Sequence, residues 1–203
     1  MKKVFILAAL SLILIPTVSS FVYNGEELPL NAGLPMPDNK MKDVSGKMIS
    51  LSDVKTKKGL LVIFSCNTCP YVKLSESRIR EYTNYCLENK IGCILVNSNE
   101  AQRSEEDSFE EMKKYYEAQQ LKCAYVVDEK SQLADAFGAT RTPQCFLFDA
   151  KGLVYKGAID DNVKDPEAVK TFYLKDALTA LHSGQKPGLQ QTKSIGCTIK
   201  RLE

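Results

Sequence analysis

The sequence has little net charge and a single histidine. Its 27 lysine and arginine side chains are balanced by 25 aspartates and glutamates, which leaves a formal charge of +2. Binding to phosphate groups needs a basic excess, so this balance argues against nucleic acid as a partner. The histidine is His182, and no second Cys-x-x-Cys pair accompanies the one described below. The usual four-ligand zinc sites are therefore hard to assemble, and we expect no metal.

The sequence also lacks an apolar run long enough to span a bilayer. The longest run, Val4–Ile15, has about 12 residues, whereas about 20 are needed. Two lysines precede it, and Val18 and Ser20 lie three and one residues before a cleavage point after Ser20. This anatomy is typical of a secretory signal over residues 1–20. We expect a periplasmic or secreted protein with no stable membrane association after cleavage; an uncleaved membrane anchor is the alternative.

The remaining chain of about 183 residues is predicted to form one domain. That length suffices for one well-buried core and is too short for two ordinary domains. Residues 21–39 contain three prolines and two glycines, which favours an extended N-terminal arm. The domain itself is expected over residues 40–184, and residues 185–203 are expected to form a tail that packs on it.

Alternating apolar and amphipathic segments predict an α/β fold. Continuous apolar runs at 59–64 and 91–96 are typical of strands buried on both faces. Helices are predicted to follow, from the first run's end to about residue 89 and then over 105–120 and 166–181. Turn signals predict an N-terminal β-hairpin at Ser45-Gly46 and an antiparallel hairpin at Gly152. We therefore expect a central mixed sheet with helices on both faces.

Cys66 and Cys69 form a Cys-x-x-Cys pair where the first buried strand meets its helix. Two cysteines with this spacing in a first helical turn come close enough to form a disulfide. The start of a helix favours a thiolate, so we expect Cys66 to attack a partner disulfide and Cys69 to resolve the mixed disulfide. A structural disulfide, half of a zinc site and two thiols without a role are the alternatives.

Four segments, in order along the chain, carry a family resemblance. They are FSCNTCPYV, TPQCFLFD, GLVYKGAIDDN and the ending SIGCTIK. Together they resemble the redoxin (AhpC/TSA) families of the thioredoxin-like superfamily, in particular a peroxiredoxin-like group with the motif Cys-Asn-x-Cys-Pro-Tyr-Val. The resemblance implies a thioredoxin-like fold and a redox role for Cys66 and Cys69 that needs no cofactor beyond the thiols.

The resemblance also implies a cis proline at Pro143 that faces the two thiols. A proline that opens a buried strand leaves one ladder position without a donor, which already marks Pro143 as unusual. A cis Thr142–Pro143 bond would turn the Thr142 backbone toward the thiols, ready to pair with a substrate strand. Thr142 and Pro143 are therefore predicted to bind substrate.

The implied function is an exported thiol–disulfide oxidoreductase that acts on protein thiols or disulfides and exchanges electrons with an upstream redox partner. One departure concerns proton transfer, because thioredoxin has a buried acid on the strand before its cysteines and the run at 60–64 has none. The chain also lacks tryptophan, and Ser65 precedes Cys66 where thioredoxin has that residue.

Two other functions stay open. A thiol-dependent peroxidase would have the pattern Pro-x-x-x-Thr-x-x-Cys, but alignment on Cys69 places Val62 and Cys66 where proline and threonine belong. Copper-chaperone relatives use Cys-x-x-x-Cys-Pro and a distant histidine. The spacing here is one residue shorter, and His182 is expected at an exposed helix end.

The other five cysteines are expected to have different roles. Cys86, Cys93 and Cys145 fall on predicted buried faces, where a free cysteine packs as a small apolar residue. A Cys86–Cys93 bridge stays open, and Cys123 carries no signal. Cys197 lies in the glycine-flanked tail, where it either packs the tail down or serves as a third redox thiol.

Two polar loops follow predicted strands, at 97–99 and 160–162. The first leaves the carboxyl end of a parallel strand, the edge where sites of α/β proteins gather. We nevertheless expect both to be ordinary solvated loops.

Overall fold

The computed structural model describes residues 26–202. The predicted signal at 1–20 and the first five residues of the predicted arm lie outside the described residues. Within 26–202, none of the helices combines the length and the apolar character that crossing a membrane requires.

Strands and helices alternate through most of the described chain. The elements are β1 (Met41–Asp43), β2 (Met48–Ile49), α1 (Leu51–Val54), β3 (Leu60–Ser65), α2 (Pro70–Lys73), α3 (Glu76–Glu88), β4 (Gly92–Asn97), α4 (Phe109–Ala118), β5 (Ala124–Val127), α5 (Gln132–Phe137), β6 (Arg141–Thr142), β7 (Gln144–Phe148), β8 (Leu153–Gly157), α6 (Tyr173–His182) and β9 (Cys197–Thr198). Single 3-10 turns lie at Glu100–Gln102, Glu129–Ser131 and Pro166–Ala168.

Seven strands form one sheet in the order β2-β1-β5-β4-β3-β7-β8. The central pairs β3–β4 and β4–β5 are parallel, whereas the pairs toward both edges are antiparallel. The sheet is therefore mixed, as predicted, and the N-terminal hairpin lies at one edge. β6 and β9 form a separate two-stranded ribbon.

Strand β3 divides the core into two layers because successive side chains point to opposite faces. Leu61 and Ile63 pack with buried side chains of α3, α4 and α6. Leu60, Val62 and Phe64 pack on the other face with residues of α1 and α5. All five are fully buried, and each such side chain stabilises the fold by roughly 1.5–3 kcal/mol. The predicted helices on both faces are confirmed.

Three predicted helices have different boundaries. The helix after the cysteine pair is broken at Leu74 and Ser75, which separates α2 from α3. The next helix begins only after Ser108, whose side chain caps it by accepting a hydrogen bond from the Glu111 N–H. The last one begins at Tyr173, because the segment that starts at Pro166 closes a single 3-10 turn and then becomes extended.

Candidate active site

The strand-to-helix junction places the two cysteines at different positions. Cys66 directly follows β3, whereas Cys69 is the N-cap residue of α2 and has extended backbone dihedrals. The helix begins at Pro70, since proline fits the first helical position. Both side chains are buried, and all seven cysteines of the chain are free thiols.

The pKa values of the two thiols shift in opposite directions. Hydrogen bonding from the Cys66 thiol, above all, lowers the pKa of Cys69 to about 4, with a further contribution from Cys197. The pKa of Cys66 is raised, because Cys66 acts as the donor to Cys69, is buried and lies near the carboxylate of Asp107. These directions favour a thiolate on Cys69, whereas the sequence pattern predicts one on Cys66.

Strand β6 brings Thr142 against both sulfurs, and Pro143 follows it directly. The Thr142–Pro143 peptide bond is cis, as predicted. The Cys69 thiol donates to the Thr142 carbonyl oxygen at 3.1 Å, a contact that exists only while Cys69 is protonated. The Thr142 hydroxyl lies 3.5 Å from the Cys66 sulfur. The four residues predicted from the sequence therefore meet at one place.

A buried carboxylate lies behind the pair and was missed by the sequence analysis. Asp107 is fully buried, and its carboxylate accepts hydrogen bonds at 2.8 Å from the Asn67 backbone N–H and from the side-chain amides of Asn97 and Asn99. The Tyr125 hydroxyl donates to the Asn67 side chain at 2.9 Å. Asn67 directly follows Cys66 and lies between the two cysteines. This network therefore fixes the backbone of the motif.

The same network corrects the prediction for the loop at 97–99. Its three residues are buried rather than solvated. Asn97 and Asn99 donate to the Asp107 carboxylate, which could not otherwise be buried at an acceptable cost, and the Ser98 hydroxyl donates to Asp128. The acid that strand β3 lacks is thus supplied from the segment before α4, where one aspartate among many acidic residues gives no distinguishing signal.

A buried ion pair holds the helix break beside the site. The Arg78 guanidinium contacts the Asp160 carboxylate at 2.5 Å and also donates to the carbonyl oxygens of Leu74 and Val163. Asp160 belongs to the second loop that was predicted to be solvated, and it is buried instead. Separating such a pair would leave a buried charge without a partner, which is costly. The contact therefore holds α3 against the loop after β8.

The C-terminal tail reaches the same place. β9 pairs antiparallel with β6, and Cys197 is the direct partner of Thr142. The Cys197 side chain is half-buried and lies close enough to Cys69 for each thiol to change the pKa of the other. The structure therefore brings the tail cysteine to the predicted pair.

Three other cysteines form a separate cluster in the core. Cys86, Cys93 and Cys123 are buried free thiols. Hydrogen bonding with Cys123 and then with Cys86 raises the pKa of Cys93. The Cys86–Cys93 bridge that the sequence left open is not formed in this structure. In Cys145, burial raises the pKa of the thiol.

The copper hypothesis gains no geometric support. Within residues 26–202, no cluster of three or more histidine, cysteine or acidic side chains has the arrangement of a metal site. His182 is exposed at the end of α6 and packs edge-on against Tyr85, with ring centroids 6.3 Å apart.

Comparison with known proteins finds both solved structures and curated sequences that are similar to this chain. A crystal structure of an uncharacterised conserved protein from Geobacillus kaustophilus is similar at 33% identity with a TM-score of 0.78, over 86% of this chain and 93% of that one. The thioredoxin-like protein YneN of Bacillus subtilis is 27% identical over 65% of this chain and 74% of its own length. The thiol-disulfide oxidoreductase ResA of the same organism is 26% identical over 76% of this chain and 84% of its own.

The family model for AhpC/TSA matches residues 32–156. The match covers more than half of the chain and includes the cysteine pair, the buried acid and the cis proline. The chain therefore belongs to the AhpC/TSA family and has the thioredoxin-like fold.

Proposed function

We propose that the protein is a thiol–disulfide oxidoreductase whose working sulfurs are Cys66 and Cys69. One observation carries this proposal: the two thiols lie at a strand-to-helix junction against the carbonyl and hydroxyl of Thr142, next to a cis proline. The name of the relative ResA, a thiol-disulfide oxidoreductase, supports the same reaction.

Cys69 is the attacking group in this proposal. Its thiolate forms a bond to one sulfur of a partner disulfide, and the other partner sulfur leaves as a thiolate. Cys66 then loses its proton and attacks the Cys69 sulfur, which forms the Cys66–Cys69 disulfide and releases the second partner thiol. The reverse sequence of steps oxidises a partner dithiol, so the same site serves either direction.

Asp107 is a positioning residue in this scheme. Its negative charge raises the pKa of Cys66, which keeps Cys66 protonated and able to donate to the Cys69 thiolate. Through Asn67 it also holds the backbone between the two sulfurs. The buried carboxylate thus adds to the hydrogen bonding and burial that already raise the pKa of Cys66.

Thr142 and Pro143 are proposed to receive the substrate chain. Strand β6, which ends at the cis proline, pairs with β9 in this structure, so an antiparallel substrate strand would take the place of β9. We propose proteins with thiols or disulfides as substrates and a separate redox protein as the upstream electron partner, with neither nucleic acid nor a cofactor involved.

Export is proposed on the sequence of residues 1–20 alone. Their lysine pair, short apolar run and cleavage point favour a periplasmic or secreted location, where disulfide exchange operates. N-terminal sequencing of the protein recovered from a bacterial periplasm should begin at Phe21. Recovery of the intact N-terminus from the membrane fraction would instead support the uncleaved anchor.

Peroxide reduction is the second candidate, favoured by the lowered pKa of Cys69, the residue aligned with the reactive cysteine of peroxiredoxins. The sulfur of Cys66 replaces the hydroxyl that would orient the peroxide. We therefore expect Cys69 to react with hydrogen peroxide no faster than an ordinary thiolate does. A peroxide-dependent turnover with a thiol donor that exceeds disulfide exchange would make the peroxidase the main function.

Catalysed reduction of a protein disulfide tests the main proposal. With dithiothreitol as donor and insulin as substrate, we expect wild-type protein to accelerate insulin reduction and Cys69→Ser to lose that acceleration. Cys145→Ala, which removes a buried thiol of β7, is the matched control and should retain it. Equal rates with wild type and Cys69→Ser would contradict the proposal.

A further inference from the structure

The tail strand β9 occupies the edge at which a substrate strand would pair. Its antiparallel register places Thr198 opposite Arg141 and Cys197 opposite Thr142. Antiparallel addition to an exposed strand edge is a general mode of peptide recognition. In this chain the residue opposite Thr142 is itself a cysteine, so the tail presents a thiol at the position of a substrate thiol.

The tail is fixed on both sides of Cys197. Upstream, the Thr192 backbone N–H donates to the Lys156 carbonyl at 3.0 Å. Downstream, Ile199 is buried and its N–H donates to the Thr140 carbonyl at 3.1 Å. The Arg201 guanidinium then contacts Asp135 at 2.8 Å. These anchors hold the short segment around Cys197 in place without using the cysteine side chain.

Gly196 permits the close approach of this segment to the cis proline. A Cβ atom on Gly196 would lie 2.1 Å from the Thr142 carbonyl oxygen and 3.2 Å from the Pro143 nitrogen. Both are backbone atoms, so no flexible side chain can move aside. The residue before Cys197 must therefore lack a side chain for the pairing with β6 to form.

The Cys197 thiol lies beside Cys69, the sulfur at the start of α2. Burial first, and then hydrogen bonding to Cys69, raises the pKa of Cys197 to about 11. Cys197 is thus a proton donor to the reduced site. When Cys69 is part of a disulfide it carries no charge, and this second cause of the raised pKa is removed.

We propose that Cys197 is a third exchanging thiol that acts as a tethered substrate of the Cys66–Cys69 disulfide. The Cys197 sulfur attacks the Cys69 sulfur, so that a Cys69–Cys197 bond forms and the Cys66–Cys69 bond breaks. The proton of Cys197 ends on the Cys66 sulfur. One disulfide replaces another, so the step needs no further oxidant. The proposal rests on the proposed function only because it requires the Cys66–Cys69 disulfide to form first.

Trapping the exchange in a Cys66→Ser variant of the full chain tests this proposal. Without Cys66, glutathione disulfide first places glutathione on Cys69, and Cys197 should then displace it. The product is a disulfide between tryptic peptides 59–73 and 194–200, which mass spectrometry identifies without reduction. In Cys66→Ser Cys197→Ser, we expect about tenfold more glutathione to remain on Cys69, because the tethered competitor is absent.

Two controls make the result specific. Cys66→Ser Cys123→Ser removes a core thiol and should still form the linked peptides. Cys69→Ser retains Cys66 and Cys197 and should form little of the link, since Cys197 lies beside Cys69. Glutathione that stays on Cys69 in Cys66→Ser while Cys197 remains a free thiol would overturn the proposal. Failure of the proposed function would look different, because wild-type protein would then form no Cys66–Cys69 disulfide either.

Discussion

Two groups of three cysteines share one apolar layer of this molecule, on the α3 and α6 side of the sheet. The redox group comprises Cys66, Cys69 and Cys197, and the core group comprises Cys86, Cys93 and Cys123. Members of both groups lie close to other thiols. Only the redox group also meets a helix start, the Thr142 carbonyl and hydroxyl, and the Asp107 charge.

Under the proposed function, the difference means that proximity between thiols is not enough for a redox site. In the core group the thiols hydrogen-bond chiefly with one another, and this raises the pKa of Cys93. In the redox group, unequal surroundings separate two adjacent thiols into a donor and a thiolate. A thiolate is the species that exchanges disulfides, so the proposed function rests on this polar asymmetry around the sulfurs.

Removing the thiolate should have the largest effect on this comparison. We expect Cys69→Ser to lower the rate of disulfide exchange at least about 100-fold, because the attacking sulfur is gone. Cys123→Ala, from the core group, should retain the wild-type rate within about twofold. Insulin reduction at equal folded concentrations measures both, and an equal loss in the two variants would erase the distinction between the groups.

Removing the donor to the thiolate should shift the pH dependence. In wild-type protein, alkylation of Cys69 by iodoacetamide should rise as pH increases through about 4 and then level off, because the pKa is lowered to about 4 and the thiolate reacts. Cys66→Ala deletes the main cause, so we expect the pKa of Cys69 to rise by about 2 or more.

Cys66→Ser is the matched variant for this experiment, since its hydroxyl retains a donor near Cys69. Its alkylation profile should lie between those of wild type and Cys66→Ala. If the alanine variant kept the wild-type profile, the helix start rather than Cys66 would be the main stabiliser of the thiolate.

Neutralising Asp107 should destabilise the protein and reduce the difference between the pKa values of Cys66 and Cys69. Asp107→Asn loses at least one of three accepted hydrogen bonds, so we expect the free energy of unfolding to fall by about 1–3 kcal/mol. The pKa of Cys66 should fall as well, because a negative charge beside it is removed. Urea titration and alkylation profiles measure the two effects; Asp38→Asn, at an exposed position, should change neither.

Crowding the tail should release Cys197. Gly196→Ala places a methyl group against the Thr142 carbonyl, so the tail should separate from β6 more often. We expect about tenfold faster alkylation of Cys197. This rate corresponds to a free energy of tail opening that is about 1.4 kcal/mol lower than in wild-type protein. Gly188→Ala is a control within the same tail, since an added Cβ there meets nothing within 4 Å. Equal rates in the two variants would show that the β6–β9 pairing does not restrain Cys197.

The smallest effect is expected in the core group. Cys93→Ala removes a buried sulfur from β4, which should lower the free energy of unfolding by about 1 kcal/mol through lost packing. The rate of insulin reduction should stay at the wild-type value. A changed rate in this variant would mean that the two groups communicate.

The fold could be predicted from the sequence because its signals are local. The apolar runs that became β3 and β4, and the turns at Gly46 and Gly152, indicate their structures within a few residues. The cysteine pair and Pro143 were found in the same way, since their spacing and their position beside a strand are visible along the chain.

The rest of the site depends on contacts between distant segments. Asp107 reaches Asn67 across 40 residues, and one aspartate in an acidic segment has no local mark. The strand at Cys197 is two residues long and exists because Gly196 can approach Thr142. The sequence pattern favours a thiolate on Cys66, whereas hydrogen bonding between the two thiols favours one on Cys69. Which thiol donates to the other depends on the folded surroundings and leaves no mark in the sequence.

The most direct measurement is a redox equilibrium of the whole chain in glutathione buffers, with every cysteine followed by its tryptic peptide. We predict one two-electron transition confined to peptides 59–73 and 194–200, which carry the redox group, while the peptides of Cys86, Cys93 and Cys123 stay reduced. Cys66→Ser should remove the Cys66–Cys69 disulfide from peptide 59–73. No transition in that peptide, or oxidation of the core group at the same potential, would contradict the account.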